Sequence, residues 1–185
     1  VNLSAALLHY PVLNKHGEII SSALTNLDLH DISRSCRTFG VRPFYVVTPL
    51  VDQKALAEKI ISHWIDGFGG EYNPKRKEAV KSIRIVDTLD EAVCRSKKDS
   101  GGVEPKIVVT SARKVKNSMG YAAFKKLLLS GTPYMLCFGT AWGLTDDLIG
   151  QADFVLDPVS GATDYNHLSV RSASAIIFDR LLGLR

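Results

Sequence analysis

Short apolar runs alternate with amphipathic stretches along the whole chain, and the two kinds of segment set its expected elements. Ala5-Ala6-Leu7-Leu8 reads as a buried strand, ended by Tyr10-Pro11 and a polar turn over 14–17. Thr25 is placed to cap a helix whose apolar positions Leu29, Ile32, Cys36 and Phe39 fall at helical spacing, with Gly40 as its stop. Phe44-Tyr45-Val46-Val47 is the next strand, followed by a helix over 52–64 with Leu56, Ile60, His63 and Trp64 on one face. Residues 66–74 carry three glycines and a proline and read as an exposed loop leading to the basic cluster Lys75-Arg76-Lys77. Ile83-Arg84-Ile85-Val86 is a third strand. Thr88 and Glu91 then have capping-box spacing ahead of a helix through Val93, and 97–105 reads as a second loop. Ile107-Val108-Val109-Thr110 is a strand, and a helix over 121–129 stops at Gly131. Met135-Leu136-Cys137-Phe138 and Phe154-Val155-Leu156 are two further strands, separated by a short helix after Leu144. A long helix over 168–182 closes the series.

About six strand–helix units predict an α/β fold, because the strands are rich in Val, Ile, Leu and Phe without polar alternation. The sheet is expected to be mostly parallel and covered by helices on both faces. In such sheets ligands sit beyond the carboxyl ends of the strands, so the loops that follow strands carry the functional information.

Bulk properties narrow this picture only a little. The 185 residues fit one domain over 1–185, with 45% hydrophobic and 23% charged residues, the balance of a folded globular chain. Residues 1–8 lack a basic n-region and an h-region of secretory length. No apolar run approaches the roughly 20 residues of a spanning helix, so no membrane is expected and the expected location is the cytoplasm. Cys36, Cys94 and Cys137 are odd in number and widely spaced, and are expected as small buried hydrophobes. His9, His16 and His30 show no ligand spacing, and no metal is expected. The net charge of +4 suits an anionic partner, as do Lys75 to Lys77 and the crowding of Arg113, Lys114, Lys116, Lys125 and Lys126; a solvated face explains each as well.

Two loops stand out. Phe138-Gly139-Thr140-Ala141-Trp142-Gly143-Leu144 places two glycines four apart directly after a strand, letting the backbone turn tightly and approach a ligand. It is not GxGxxG and does not follow the first strand, which disfavours a nicotinamide-dinucleotide enzyme. The second loop, 157–170, is polar, begins Asp157-Pro158 and runs straight into a helix N-terminus. Its Asn166, His167 and Ser169 can cap that helix or cradle a small ligand.

In order along the chain, these segments resemble the SPOUT methyltransferases. Residues 138–144 and Pro-Val-Ser-Gly-Ala-Thr-Asp-Tyr-Asn-His-Leu-Ser-Val over 158–170 are similar to the family's two C-terminal motifs. Residues 28–41, with Arg34 ahead of Phe39-Gly40-Val41, are similar to its first. The resemblance spans essentially the whole chain and points to a bacterial group related to the tRNA (guanine-N1) methyltransferases, some of whose members occur fused to such an enzyme. It implies a C-terminal trefoil knot, a homodimer, S-adenosylmethionine as cofactor and an RNA, most naturally tRNA, as substrate. Carried over by position, the cofactor rests on Thr110, Ser111, Phe138, Gly139, Thr140, Ala141, Trp142, Gly143, Leu144, Leu156, Pro158, Val159, His167, Leu168 and Ser169. Arg34, Asp28 and His167 are the implied catalytic residues, with Asp164 a further acid–base candidate. Asp28 stands where the ribose-methylating branch commonly has Asn, and the glycine-rich loop is one residue shorter than in that branch. The alternative is a non-catalytic module of the same fold that binds cofactor or RNA.

Overall fold

A computed structural model describes residues 1–184. Its centre is a six-stranded sheet of β1 (Leu3–Leu8), β4 (Phe44–Val47), β5 (Ile83–Val86), β6 (Lys106–Val109), β7 (Tyr134–Gly139) and β8 (Phe154–Val155), in the order β5-β4-β1-β7-β6-β8. Every pairing in it is parallel. All six residues of β1 are buried, with Leu3, Ala5 and Leu7 entering one core and Ala6 and Leu8 the other. This is why its sequence lacks polar alternation: both faces are covered. β7 enters the slot between β1 and β6, so the crossover returns into the middle of the sheet. A hairpin of β2 (Val12–Leu13) and β3 (Ile19–Ile20) follows β1. It brackets the turn expected over 14–17.

The first face of the sheet carries α1 (Asn26–Phe39), α2 (Val51–Ile65), α6 (Tyr121–Leu127) and α8 (Val170–Leu182). The second carries α5 (Leu89–Asp99) and α7 (Asp146–Gln151). The Thr25 hydroxyl accepts from the Asp28 N–H at 3.1 Å to start α1, and Gly40 ends it in the left-handed conformation at φ 73°. Thr88 caps α5, and the Glu91 carboxylate reaches back to the Asp87 N–H at 2.9 Å.

Four expectations are corrected. Residues 66–74 are not an exposed loop: they fold as α3 (Phe68–Tyr72), and the basic cluster lies on α4 (Pro74–Val80), with Gly69 and Gly70 buried. The second loop starts later than 97, because α5 continues to Asp99. The buried side of α2 is centred on Ala57, with Ile60, Ile61, Trp64 and Ile65 packed beside it, while Leu56 is exposed and His63 lies outside the core, one side of its ring against α3. Cys36 and Cys137 are buried as expected, but Cys94 is exposed; all three are free.

Candidate functional site

Parallel register aligns the strand ends: Leu8 lies opposite both Val47 and Gly139, and Val109 opposite both Cys137 and Val155. The loops 110–120, 139–145 and 156–169 therefore leave one edge of the sheet side by side. The 139–145 loop is tightly built. Ala141 and Gly143 both take positive φ, at 51° and 106°, and the Gly143 N–H closes a turn on the Thr140 carbonyl at 2.9 Å. The loop is stitched to the β2 end, the Trp142 N–H donating to Leu13 O at 3.0 Å and the Leu13 N–H to Gly143 O at 2.9 Å. A Cβ on Gly139 would stand 2.8 Å from the Leu144 nitrogen, so that glycine permits the loop to fold back on its own strand. Gly143 instead has nothing within 4 Å of an added Cβ. The two glycines thus serve different ends, one close approach and one left-handed backbone.

The other two loops grip each other. The Met119 N–H donates to Val155 O at 2.7 Å and the Asp157 N–H to Met119 O at 2.9 Å, while the Asn166 amide reaches Ala112 O at 2.8 Å. The Asp157 carboxylate takes the Lys114 ammonium and the Ser118 hydroxyl, each at 2.5 Å, and these bonds hold its pKa below the ordinary carboxylate value. The Tyr121 hydroxyl donates to Asp157 O at 2.7 Å, with Arg180 over its ring. Much of the second basic region is therefore engaged within the fold: Lys114 on Asp157, and Arg113 on Asp146 at 3.3 Å.

Of the remaining expected residues, Thr110 donates to the Cys137 carbonyl, Ser111 accepts from the Arg113 N–H, and Leu156 is fully buried. Pro158 and Val159 are half-buried, and His167, Leu168 and Ser169 are exposed. Ser169, not His167, caps α8, accepting from the Ser172 N–H. Ser169 thereby satisfies one of the first-turn N–H groups of α8, which as at any helix start have no intrahelical partners. Arg34 is exposed on α1 and shares a groove with Asp31, Ser35, Ser169 and Arg171. Asp28 is buried, and both its oxygens are engaged, one by Arg171 at 3.0 Å and the other by the Thr25 hydroxyl at 2.6 Å. A separate groove, lined by Arg37, Arg42, Lys81 and Arg84, lies at the opposite edge of the sheet.

Three residues that the sequence did not single out complete the arrangement. His9, directly after β1, is fully buried; its Nδ1 pairs with the Ser22 hydroxyl at 3.0 Å, and Ser22 pairs in turn with the Thr140 hydroxyl, which also bonds Leu8 O at 2.9 Å. Burial pushes the His9 pKa down, against opposing pulls from the Asp28 carboxylate and the Ala23 carbonyl. Arg171 is the third, tying α8 to α1 through Asp28 and Asp31. A histidine placed directly after the central strand was the available signal for the first of these.

The comparisons decide the family. A family model described as SAM-dependent RNA methyltransferase matches residues 2–183. The chain belongs to the SAM-dependent RNA methyltransferase family. It is 42% identical over 182 residues to a tRNA (guanine-N(1)-)-methyltransferase of Oleidesulfovibrio alaskensis, covering 98% of this chain but 42% of that protein. It is 39% identical over 183 residues to a protein of Aquifex aeolicus, covering 98% of this chain and 89% of the other. The chain thus spans less than half the length of the guanine-N1 relative. Among solved structures, the A. aeolicus TrmH/SpoU tRNA modifying enzyme superposes with a TM-score of 0.57 at 17% identity, over 98% of this chain and 74% of that one. The mostly parallel six-stranded sheet flanked by helices, expected from the sequence, is the fold this neighbour shares, and a non-catalytic reading is not favoured. The site fits the family's cofactor chemically. The positive-φ backbone at Ala141 and Gly143 and the start of α8 each offer main-chain groups of the kind that hold a nucleoside and an amino acid.

Among the described residues no cluster of His, Cys, Asp or Glu is arranged to hold a metal, and no helix is long and apolar enough to cross a membrane.

Proposed function

We propose that the chain methylates an RNA, with tRNA as the substrate class, holding S-adenosylmethionine in the loops 110–111, 138–144 and 156–169. The observation that carries this reading is the meeting of those loops at one sheet edge in a chain whose family model runs from 2 to 183. S-adenosylmethionine supplies an electrophilic methyl group on a sulfonium, so the protein's main task is to hold donor and acceptor in line. The main chain at 139–144 and the open N–H groups at the start of α8 hold the donor. Arg34 steers an RNA phosphate to the groove beside Ser169. Asp28, with both oxygens engaged, keeps Arg171 and hence the N-terminus of α8 in register, and the exposed His167 is left to take a proton from the acceptor.

The same proposal takes the loop-to-loop grip of 110–120 on 155–166 as part of a trefoil knot. It treats 1–185 as one domain working as a homodimer in the cytoplasm. Methyl transfer to RNA, followed by mass-spectrometric comparison of RNA modifications with and without the gene, tests the activity. Folded protein giving no calorimetric heat with S-adenosylmethionine or S-adenosylhomocysteine refutes it. Sedimentation equilibrium is expected to give twice the 20.3 kDa chain mass at micromolar concentration.

A further inference from the structure

The face formed by α3 and α4 plays no part in the cofactor site, yet it carries two large aromatic rings in solvent. Phe68 and Tyr72, one turn apart on α3, are 73% and 80% exposed, with ring centroids 6.1 Å apart and planes 28° from parallel. The glycines between them explain why the rings cannot fold inward. A Cβ on Gly69 would stand 2.9 Å from His63 Nε2 and Trp64 Cε3, and one on Gly70 2.5 Å from the Trp64 carbonyl oxygen. The glycine side of α3 is therefore clamped onto the end of α2.

The adjoining charge is positive. Lys75 and Lys77 on α4 form no ion pair among the described residues, and Arg76 is held with its guanidinium 4.6 Å from the centre of the Trp64 ring; the carboxylates of the two helices are Glu71 on α3 and Glu78 on α4, the latter paired with Arg37. Through Trp64 the patch borders α1, the helix that carries Arg34. His30 on α1 packs edge-on to Trp64 at 5.2 Å and lies within the fields of both Arg76 and Arg34, while Arg34 shares its groove with Ser169.

Near-parallel aromatic rings beside cations are the chemistry that receives unpaired nucleobases and their phosphates. A second copy of this chain fits less well, because a two-fold contact centred here would set Lys75 to Lys77 against themselves. We propose that Phe68 and Tyr72 stack an unpaired base of the RNA substrate while Lys75 and Lys77 meet its flanking phosphates. This assignment rests on the RNA-methyltransferase reading above and adds where a single-stranded part of the substrate is held.

Fluorescence anisotropy with a labelled 12-nucleotide oligouridine, and with a 12-base-pair RNA duplex of random sequence, tests it. Phe68→Ala/Tyr72→Ala is expected to weaken oligouridine binding about tenfold or more. Duplex binding, S-adenosylhomocysteine affinity and sedimenting mass should stay unchanged, and Tyr72→Phe should keep wild-type affinity. Equal oligouridine binding by the folded double variant overturns the stacking assignment and leaves the methyltransferase reading intact. A fall in sedimenting mass also overturns it, making the rings a contact between copies. Wild-type protein that binds neither RNA overturns both readings.

Discussion

Two glycine-bearing segments of this protein look alike in sequence and behave in opposite ways. In 138–144 the glycines make an irregular loop; in 67–70 they make a helix possible. Gly143 is there for its backbone: φ of 106° with open space around it. Gly69 and Gly70 are there for their lack of a side chain, packed against His63 and Trp64. Glycine content alone therefore does not distinguish a ligand cradle from a tight helix–helix contact. What separates them is the company the close-packed glycine keeps: Gly139 folds against its own loop beside the positive-φ Gly143, whereas Gly69 and Gly70 pack on a second helix and no positive φ accompanies them.

The largest expected effect follows from the backbone case. Gly143→Val forces a β-branched residue into a region that L side chains rarely adopt, a strain of about 1–3 kcal/mol on a loop that must keep its shape to bind. S-adenosylhomocysteine affinity should fall by up to about a hundredfold, read by calorimetry, with Gly143→Asn losing less because Asn tolerates positive φ better. If Val binds as well as wild type, the handedness of this loop is irrelevant to the cofactor.

The packing case should move stability instead. Gly70→Ala puts a Cβ against a backbone oxygen 2.5 Å away, and overpacking of this kind costs about 1–3 kcal/mol. The midpoint of urea unfolding should drop accordingly, while cofactor affinity of the folded protein is kept. Loss of cofactor affinity with unchanged stability would reverse the roles assigned to the two segments.

The same contrast marks how far the sequence could be read. The strands of the central sheet were legible because burial on both faces leaves an unbroken apolar run, as in Ala5 to Leu8 and Phe44 to Val47. The caps Thr25 and Thr88 were legible because a hydroxyl three residues before an N–H donor is a local device. The α3–α4 unit was not. Its helix-forming tendency is weak at Gly69 and Gly70, and what fixes it is contact with Trp64 on another helix, a tertiary effect that local propensity cannot carry. For the candidate site, the loops were visible as glycine- and polar-rich stretches after strands. The ties that shape them, His9 to Ser22 to Thr140 and Asp28 to Arg171, join residues as far as 143 positions apart, and the only local mark was the position of His9 directly after β1.

A smaller effect distinguishes the substrate side from the cofactor loop. Arg34 lies on α1, in the groove that reaches Ser169, and its side chain is exposed. Arg34→Ala should leave S-adenosylhomocysteine affinity nearly unchanged and lower methyl transfer to RNA. It should also flatten the log–log salt dependence of RNA binding by about one unit. Alanine at Lys75 and Lys77 should weaken RNA binding without slowing turnover at saturating RNA. Should Arg34→Ala weaken the cofactor as much as Gly143→Val, Arg34 belongs to the cofactor side. Full transfer and full affinity would make it a solvated arginine on a helix face.

The smallest effect is in pH, and it compares the histidines behind the two segments. His9 supports the 139–145 loop through Ser22, and His30 packs on Trp64 beneath Arg76; burial is the main cause lowering both pKa values below 6.5. A lowered histidine pKa means the unfolded chain binds more protons below about pH 6.5. The contribution to stability is therefore unchanged above that pH and is lost as pH falls through the interval beneath it. Melting temperature should decline as pH falls below about 6.5, and more gently in His9→Gln, where the side-chain amide can keep a bond to Ser22 without titrating. Cofactor affinity should follow the same split: the acid-induced weakening should shrink in His9→Gln and persist in His30→Gln, because only His9 is tied to the Thr140 loop. Identical acid profiles for wild type and both variants would place the titrating group elsewhere and sever His9 from the loop it is argued to support.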